Sequence, residues 1–182
     1  MLELRTKFAR WPLIFRAAMV LMVLIGSAIC ASGISEDEIK AAFVFNFARF
    51  VEWPENKSAE EIMVGYIGSQ PLSGNLDLLK GRMINDRVIN VRPFSEGNAA
   101  LFDLVFISAS EFARKPEILD LFHERPVLTI SDAPDFINSG GMIGLIIVDK
   151  KVRFEINHAA ALSEGLKISS QLLSLARRVQ KK

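Results

Sequence analysis

Cysteine is almost absent from this 182-residue chain, where Cys30 is the only one. Histidine is nearly as scarce. His123 and His158 are the only two, far apart, and neither lies in a zinc-binding helix motif. These absences remove much chemistry. A chain cut after Cys30 holds no thiol, which excludes structural disulfides, thiol catalysis and cysteine-based metal sites. Metal ligands cluster, so the two histidines read as structural or exposed residues. No Gly-x-Ser-x-Gly elbow is present. Gly140-Gly141-x-x-Gly144 is glycine-rich but leads into a strand, whereas nucleotide loops lead into helix N-termini. Asp132 and Asp135 form an acidic pair in a turn, where N-capping accounts for them better than catalysis. The chain thus shows no credible catalytic set, cofactor motif or metal site, and these residues alone do not disclose what it does.

Strong net charge is missing too. Residues 1–16 carry Arg5, Lys7, Arg10 and Arg16 against Glu3, and Ala17 to Ala31 then holds no charge. A basic start, an apolar run and small residues mark a secretory signal peptide, with cleavage expected between Cys30 and Gly33. The organisation is then a signal peptide over 1–33 and one domain over 34–182. The alternative is an uncleaved anchor, because Ala17–Ser35 is 19 uncharged residues, although Gly26, Ser27, Ser32 and Gly33 weaken it. Lipidation at Cys30 is disfavoured by Ile29, where such signals want a small residue. Residues 34–182 keep 18 basic and 20 acidic residues, a net charge of −2, which is no footprint for nucleic acid. The basic tail Arg177, Arg178, Lys181, Lys182 reads as cations at a helix C-terminus.

Half of the residues are hydrophobic, enough for a packed core, and there is no repeat, long linker or low-complexity tract. Ser35-Glu36-Asp37-Glu38 fits a capping box opening a helix to about Val51, before Pro54. Ile39, Phe43, Phe47 and Phe50 make its apolar face, with Val44, Phe45 and Val51 partly off it. Apolar or mostly apolar runs predict strands at 62–68, 88–91, 104–107, 127–130, 142–148 and 152–156. Asp149-Lys150-Lys151 joins the last two as a hairpin. Helices are expected at 72–80, ended by Gly81, and from a Ser110 cap to Phe122, broken at Pro116. The tail is one helix or two: Asn157 caps a turn at His158, and Gly165 separates it from a longer helix over Ser170–Val179. Alternating strands and helices predict a single three-layer α/β/α sandwich with a mixed sheet of about six strands and a C-terminal helix.

Two groups of residues stand out as sites. Arg153 and Glu155 alternate with Val152, Phe154 and Ile156, so both charges share one strand face. A surface salt bridge explains them, or Arg153 joins Arg49 in a site for a small anion or amino acid. A partner surface is the other candidate, built from Phe45, Val51 and Trp53 on the Phe-rich helix and Leu172 and Leu175 on the tail.

Three strings together resemble one family. They are KAAFVFNFARFVEWP (Lys40–Pro54), the segment Val127–Asn157 ending GGMIGLIIVDKKVRFEIN, and AAALSEGLKISSQLLSLARRV (Ala159–Val179). In that order they look like the YfiR family of small bacterial periplasmic proteins. The resemblance implies an α/β sandwich in the periplasm. It also implies a regulatory binding protein rather than an enzyme, one that represses an inner-membrane diguanylate cyclase through its periplasmic sensor part. An outer-membrane, OmpA-like lipoprotein that sequesters the repressor is implied as well, as is dimerisation. Another envelope sensor, such as a histidine kinase, is the alternative partner. Well-studied members use disulfides in redox sensing, and a chain without cysteine beyond residue 30 cannot carry that over.

Overall fold

The computed structural model describes residues 34–54, 60–68, 72–114 and 116–181. The basic start, the uncharged run and Cys30 lie outside them. Ser35 opens helix α1 (Glu36–Phe50): its Oγ accepts the Glu38 N–H at 3.1 Å, and Glu38 Oε2 accepts the Ser35 N–H at 2.8 Å. This is the expected capping box, and Glu36, Asp37 and Glu38 sit where the helix dipole favours anions. Val51 turns extended, ending the helix, and with Glu52 forms the short strand β1 (Val51–Glu52).

The chain then alternates. In order come β2 (Glu61–Ile67), α2 (Leu72–Asp77), β3 (Met83–Ile84), β4 (Arg87–Pro93), β5 (Leu104–Ile107) and α3 (Ala109–Arg114). After these follow β6 (Leu128–Ser131), β7 (Ile143–Val148), β8 (Lys151–Asn157), α4 (His158–Ser163), β9 (Lys167–Ile168), α5 (Ser170–Leu175) and β10 (Arg178–Gln180). Among the described residues, eight strands make one mixed sheet in the order β10-β8-β7-β6-β5-β2-β4-β3, and β1 pairs antiparallel with β9. Pairs β2–β4, β2–β5, β5–β6 and β6–β7 are parallel, and hairpin β7–β8 is antiparallel. All six expected strands are present; the two-residue β3 and the C-terminal β10 raise the count.

Side-chain alternation makes the three layers. On β5, Leu104 and Phe106 enter the core under α1, while Val105 and Ile107 enter the core on the opposite face. The first core centres on Val44 and Phe47 of α1, which meets Phe154 of β8 edge-on at 5.1 Å. The second holds Phe102, Phe112, Phe122 and Phe136, with Phe112 and Phe136 edge-on at 5.0 Å. Both cores draw their residues from within 41–172, so the unit from Ser35 onward carries a core of its own.

Several local expectations are corrected. The deeply buried stripe of α1 is Lys40, Ala41, Val44, Phe47 and Ala48; Ile39, Phe43 and Phe50 flank it half-buried. The stripe is shifted because α1 also packs against α2 and α5, so its own domain covers more than one side. Helix α3 starts at Ala109 rather than after a Ser110 cap, because Asp132 Oδ1 accepts the Ala109 N–H at 2.8 Å. The segment after Pro116 is a 3₁₀ helix. The tail is not helical to Val179. Helix α5 stops at Leu175, Ala176 is extended, and Arg178–Gln180 pairs parallel with β8. Arg177, Arg178 and Lys181 therefore lie on and beside an edge strand and do not cap a helix, and Lys182 lies outside the described residues.

Candidate functional site

The main polar cluster sits where α1 crosses the carboxyl ends of β5 and β6. Asp132 directly follows β6, and Ala109 follows Ser108 at the end of β5. Asp132 Oδ1 accepts the Ala109 N–H, and its Oδ2 accepts a hydrogen bond from Lys40 Nζ at 2.7 Å. Lys40 is only 8 % exposed, and its ammonium also reaches Glu36 Oε1, one turn back, at 2.8 Å. Burial pulls the Lys40 pKa down, but hydrogen bonds and charge from Asp132 and Glu36 outweigh it and hold the pKa above the ordinary 10.5. An ammonium so held is no nucleophile at neutral pH. It acts as a clamp between α1 and the sheet.

That clamp floors a cleft of about 250 Å³, walled by Pro134, Leu145, Ile146 and Ile147. The wall exists because β7 runs on past β6: Ser131 lies opposite Gly144, so Leu145–Val148 stand beyond the neighbouring strand. Ligands of α/β sheets commonly sit outside carboxyl ends of strands. A second cleft of about 250 Å³ lies on the other face, lined by Phe122, His123, Thr129, Met142 and Glu164 among others. Among the described residues, no group of three or more His, Cys, Asp or Glu is placed to hold a metal ion.

The expected anion site is not assembled. Arg49 is exposed on α1, its guanidinium 5.9 Å from the Phe50 ring. Arg153 and Glu155 share one face of β8, as expected, but it is the face opposite Phe154, which packs under α1. Arg49 and Arg153 therefore do not converge. The expected Arg153–Glu155 salt bridge is replaced by Arg178–Glu155 at 3.2 Å, formed because Arg178 stands opposite Glu155 across the β10–β8 pair. Arg178 also donates to Asn138 Oδ1 at 3.0 Å.

The expected partner residues divide by burial. Val51 and Leu172 are buried in the first core, so they support a surface rather than form one. Trp53 is half-buried, and its Nε1 donates to the Asp103 carbonyl at 2.9 Å. The Arg87 guanidinium lies 5.5 Å from its ring, and buried Asp103 accepts the Met63 N–H at 2.7 Å. Trp53 thus pins the chain after α1 to the sheet. Phe45 is half-buried under Arg82, whose guanidinium is 4.2 Å from the ring centre. Leu175 is 63 % exposed.

Sequence reasoning missed Lys40 and its tie to Asp132. The Glu36–Lys40 spacing of one helical turn was a signal, but the deciding partner is 92 positions away.

Among solved structures, a conserved domain protein from Vibrio cholerae is 13 % identical, with 80 % of this chain and 60 % of that chain covered and a TM-score of 0.57. The ABC domain in complex with L-Trp from Streptococcus pneumonia is 10 % identical, covering 79 % and 60 %, with a TM-score of 0.49. The chain thus spans about three-fifths of the length of each. At 13 % identity the first likeness shows the α/β fold alone. No curated protein matches the chain. The family described as YfiR/HmsC-like matches residues 37–177, from the first turn of α1 to the approach of β10, and the chain belongs to that family.

Proposed function

We propose that this chain is a periplasmic regulatory binding protein that represses an inner-membrane diguanylate cyclase through the cyclase's periplasmic sensor region, and so restrains cyclic-di-GMP signalling. The family match over residues 37–177 carries this reading. The ionic cluster supports it, because Lys40 is saturated by carboxylates in a clamp and not poised for chemistry. Residues 1–33 act as the export signal in this account, and an OmpA-like lipoprotein in the outer membrane relieves the repression. Redox control through disulfides has no part in it. Homodimers are compatible with the account.

The docking surface we assign includes Phe45 with its Arg82 cover, and Leu175 at the end of α5. A photo-crosslinking residue at position 45 or 175 should capture the periplasmic region of a cyclase in intact cells. Failure to capture any envelope sensor from either position would sink the reading.

One observation favours a second reading, a small-ligand sensor serving another envelope protein such as a histidine kinase. It is the cleft beside Lys40, with an ionic floor and an aliphatic wall at the strand ends. A thermal-shift screen of amino acids and small anions tests it, since a ligand that prefers the folded state raises the melting point.

A further inference from the structure

Charge is distributed very unevenly along the domain. Residues 145–182 hold eight basic and three acidic residues, a net charge of +5, whereas residues 34–144 hold ten basic and 17 acidic, a net charge of −7. The fold gathers much of the basic segment at one end of the sheet, in the β7–β8 hairpin and the edge strand β10 beside it. Lys150, Lys151 and Arg153 are exposed at the hairpin end of this edge, and Arg177 and Lys181 are exposed farther along it, because β10 runs parallel to β8 and away from the tip. Among the described residues no carboxylate pairs with any of the five, since Glu155 is taken by Arg178. A protein polarised in this way orients in the field of a charged surface, cationic edge first.

The same edge carries bare aliphatic side chains. Ile147, at the tip, is 52 % exposed, and Ile146 and Val148 are half-buried beside it. The tip is a tight turn, with Asp149 and Lys150 both in the left-handed region at φ 49° and 59°. It projects, because β7 and β8 continue beyond the end of β6.

An acidic protein and an anionic bilayer would both meet these cations. Two features favour the bilayer. The charge is spread along an edge, and none of the five cations lines either of the 250 Å³ clefts that would grip a peptide. Exposed isoleucine among lysines also suits the headgroup region, where apolar burial and attraction to anionic lipid add without shape matching. We propose that this edge docks the domain, hairpin tip first, on a bilayer surface containing anionic phospholipid. The proposal does not depend on which sensor is regulated.

Vesicle co-sedimentation of residues 35–182 tests it, because that unit carries its own core. The domain should pellet with phosphatidylglycerol vesicles, stay in solution with phosphatidylcholine vesicles, and be released by salt. Replacing Lys150, Lys151 and Arg153 together by Glu should weaken partitioning about a hundredfold or more. Ile147→Ser should weaken it several-fold. All four side chains are exposed, and unchanged melting curves would verify that the variants fold. Wild-type protein that ignores phosphatidylglycerol, or a triple variant that binds as well as wild type, would overturn the proposal. Capture by soluble poly-glutamate without vesicle binding would overturn it in favour of an acidic protein partner.

Discussion

Lys40 and Asp132 lie 92 positions apart, yet Nζ and Oδ2 meet at 2.7 Å and close α1 onto the end of the sheet. Lys40 is buried and Asp132 largely so, and removing one partner from such a pair leaves the other charge poorly compensated. Lys40→Met should therefore destabilise the domain by about 3 kcal/mol, measured by chemical denaturation. Glu36→Gln should cost under about 0.5 kcal/mol, because the Glu36 side chain is 54 % exposed. Equal effects would show that the clamp is not centred on Asp132.

The same pair sets a pH dependence. The folded Lys40 pKa is raised above 10.5, so its contribution is fully present below 10.5 and is lost as pH rises through the folded value. The stability gap between wild type and Lys40→Met should be flat from pH 7 to 10 and close only above about 10.5. Denaturation across that range, in both proteins, gives the difference directly. A gap that closed near neutrality would contradict the assignment.

Gly141 has no room for a side chain, since a Cβ there would run into the ring of buried Phe136. Gly141→Ala should cost about 2 kcal/mol through overpacking. Asn157 tests the same loop from the other side. Its Oδ1 caps α4 through the Ala160 N–H at 3.0 Å, and its Nδ2 donates to the Ile137 carbonyl at 3.1 Å. Asn157→Ala should also cost about 2 kcal/mol by denaturant melting.

Leu172 and Leu175 are three positions apart on α5 and should behave oppositely. Leu172 is buried, so Leu172→Ala should destabilise by about 3 kcal/mol. Leu175→Asp should change stability by under about 0.5 kcal/mol while weakening association with the regulated partner. Melting curves and crosslinking yields, taken together, separate the two roles.

Buried elements were legible in the sequence, and edge elements were not. Leu104–Ile107 reads as a strand because all four side chains are buried, which apolar character alone reveals. The Ser35–Glu38 capping box and the Asn157 cap are local, so a few neighbouring residues announce them. Ile168, Leu172, Leu175 and Val179 keep helical spacing, yet the chain leaves the helix at Ala176. The Arg177 N–H finds the Phe154 carbonyl at 2.9 Å, and Arg178 finds Glu155. Those partners come from a distant strand, and no local pattern encodes them. The same reason hid the candidate site. A lysine inside an apolar stripe looked incidental until Asp132 was brought beside it. That Arg153 and Glu155 share a face followed from alternation, but which cation Glu155 would choose did not.

Cellular cyclic-di-GMP tests the central claim most directly, compared in a deletion strain complemented with the exported chain or with a form lacking residues 1–33. Periplasmic repression of a cyclase predicts a rise on deletion, reversed by the exported chain and not by the truncated one. An unchanged level on deletion, or full reversal by the form that stays in the cytoplasm, would contradict it.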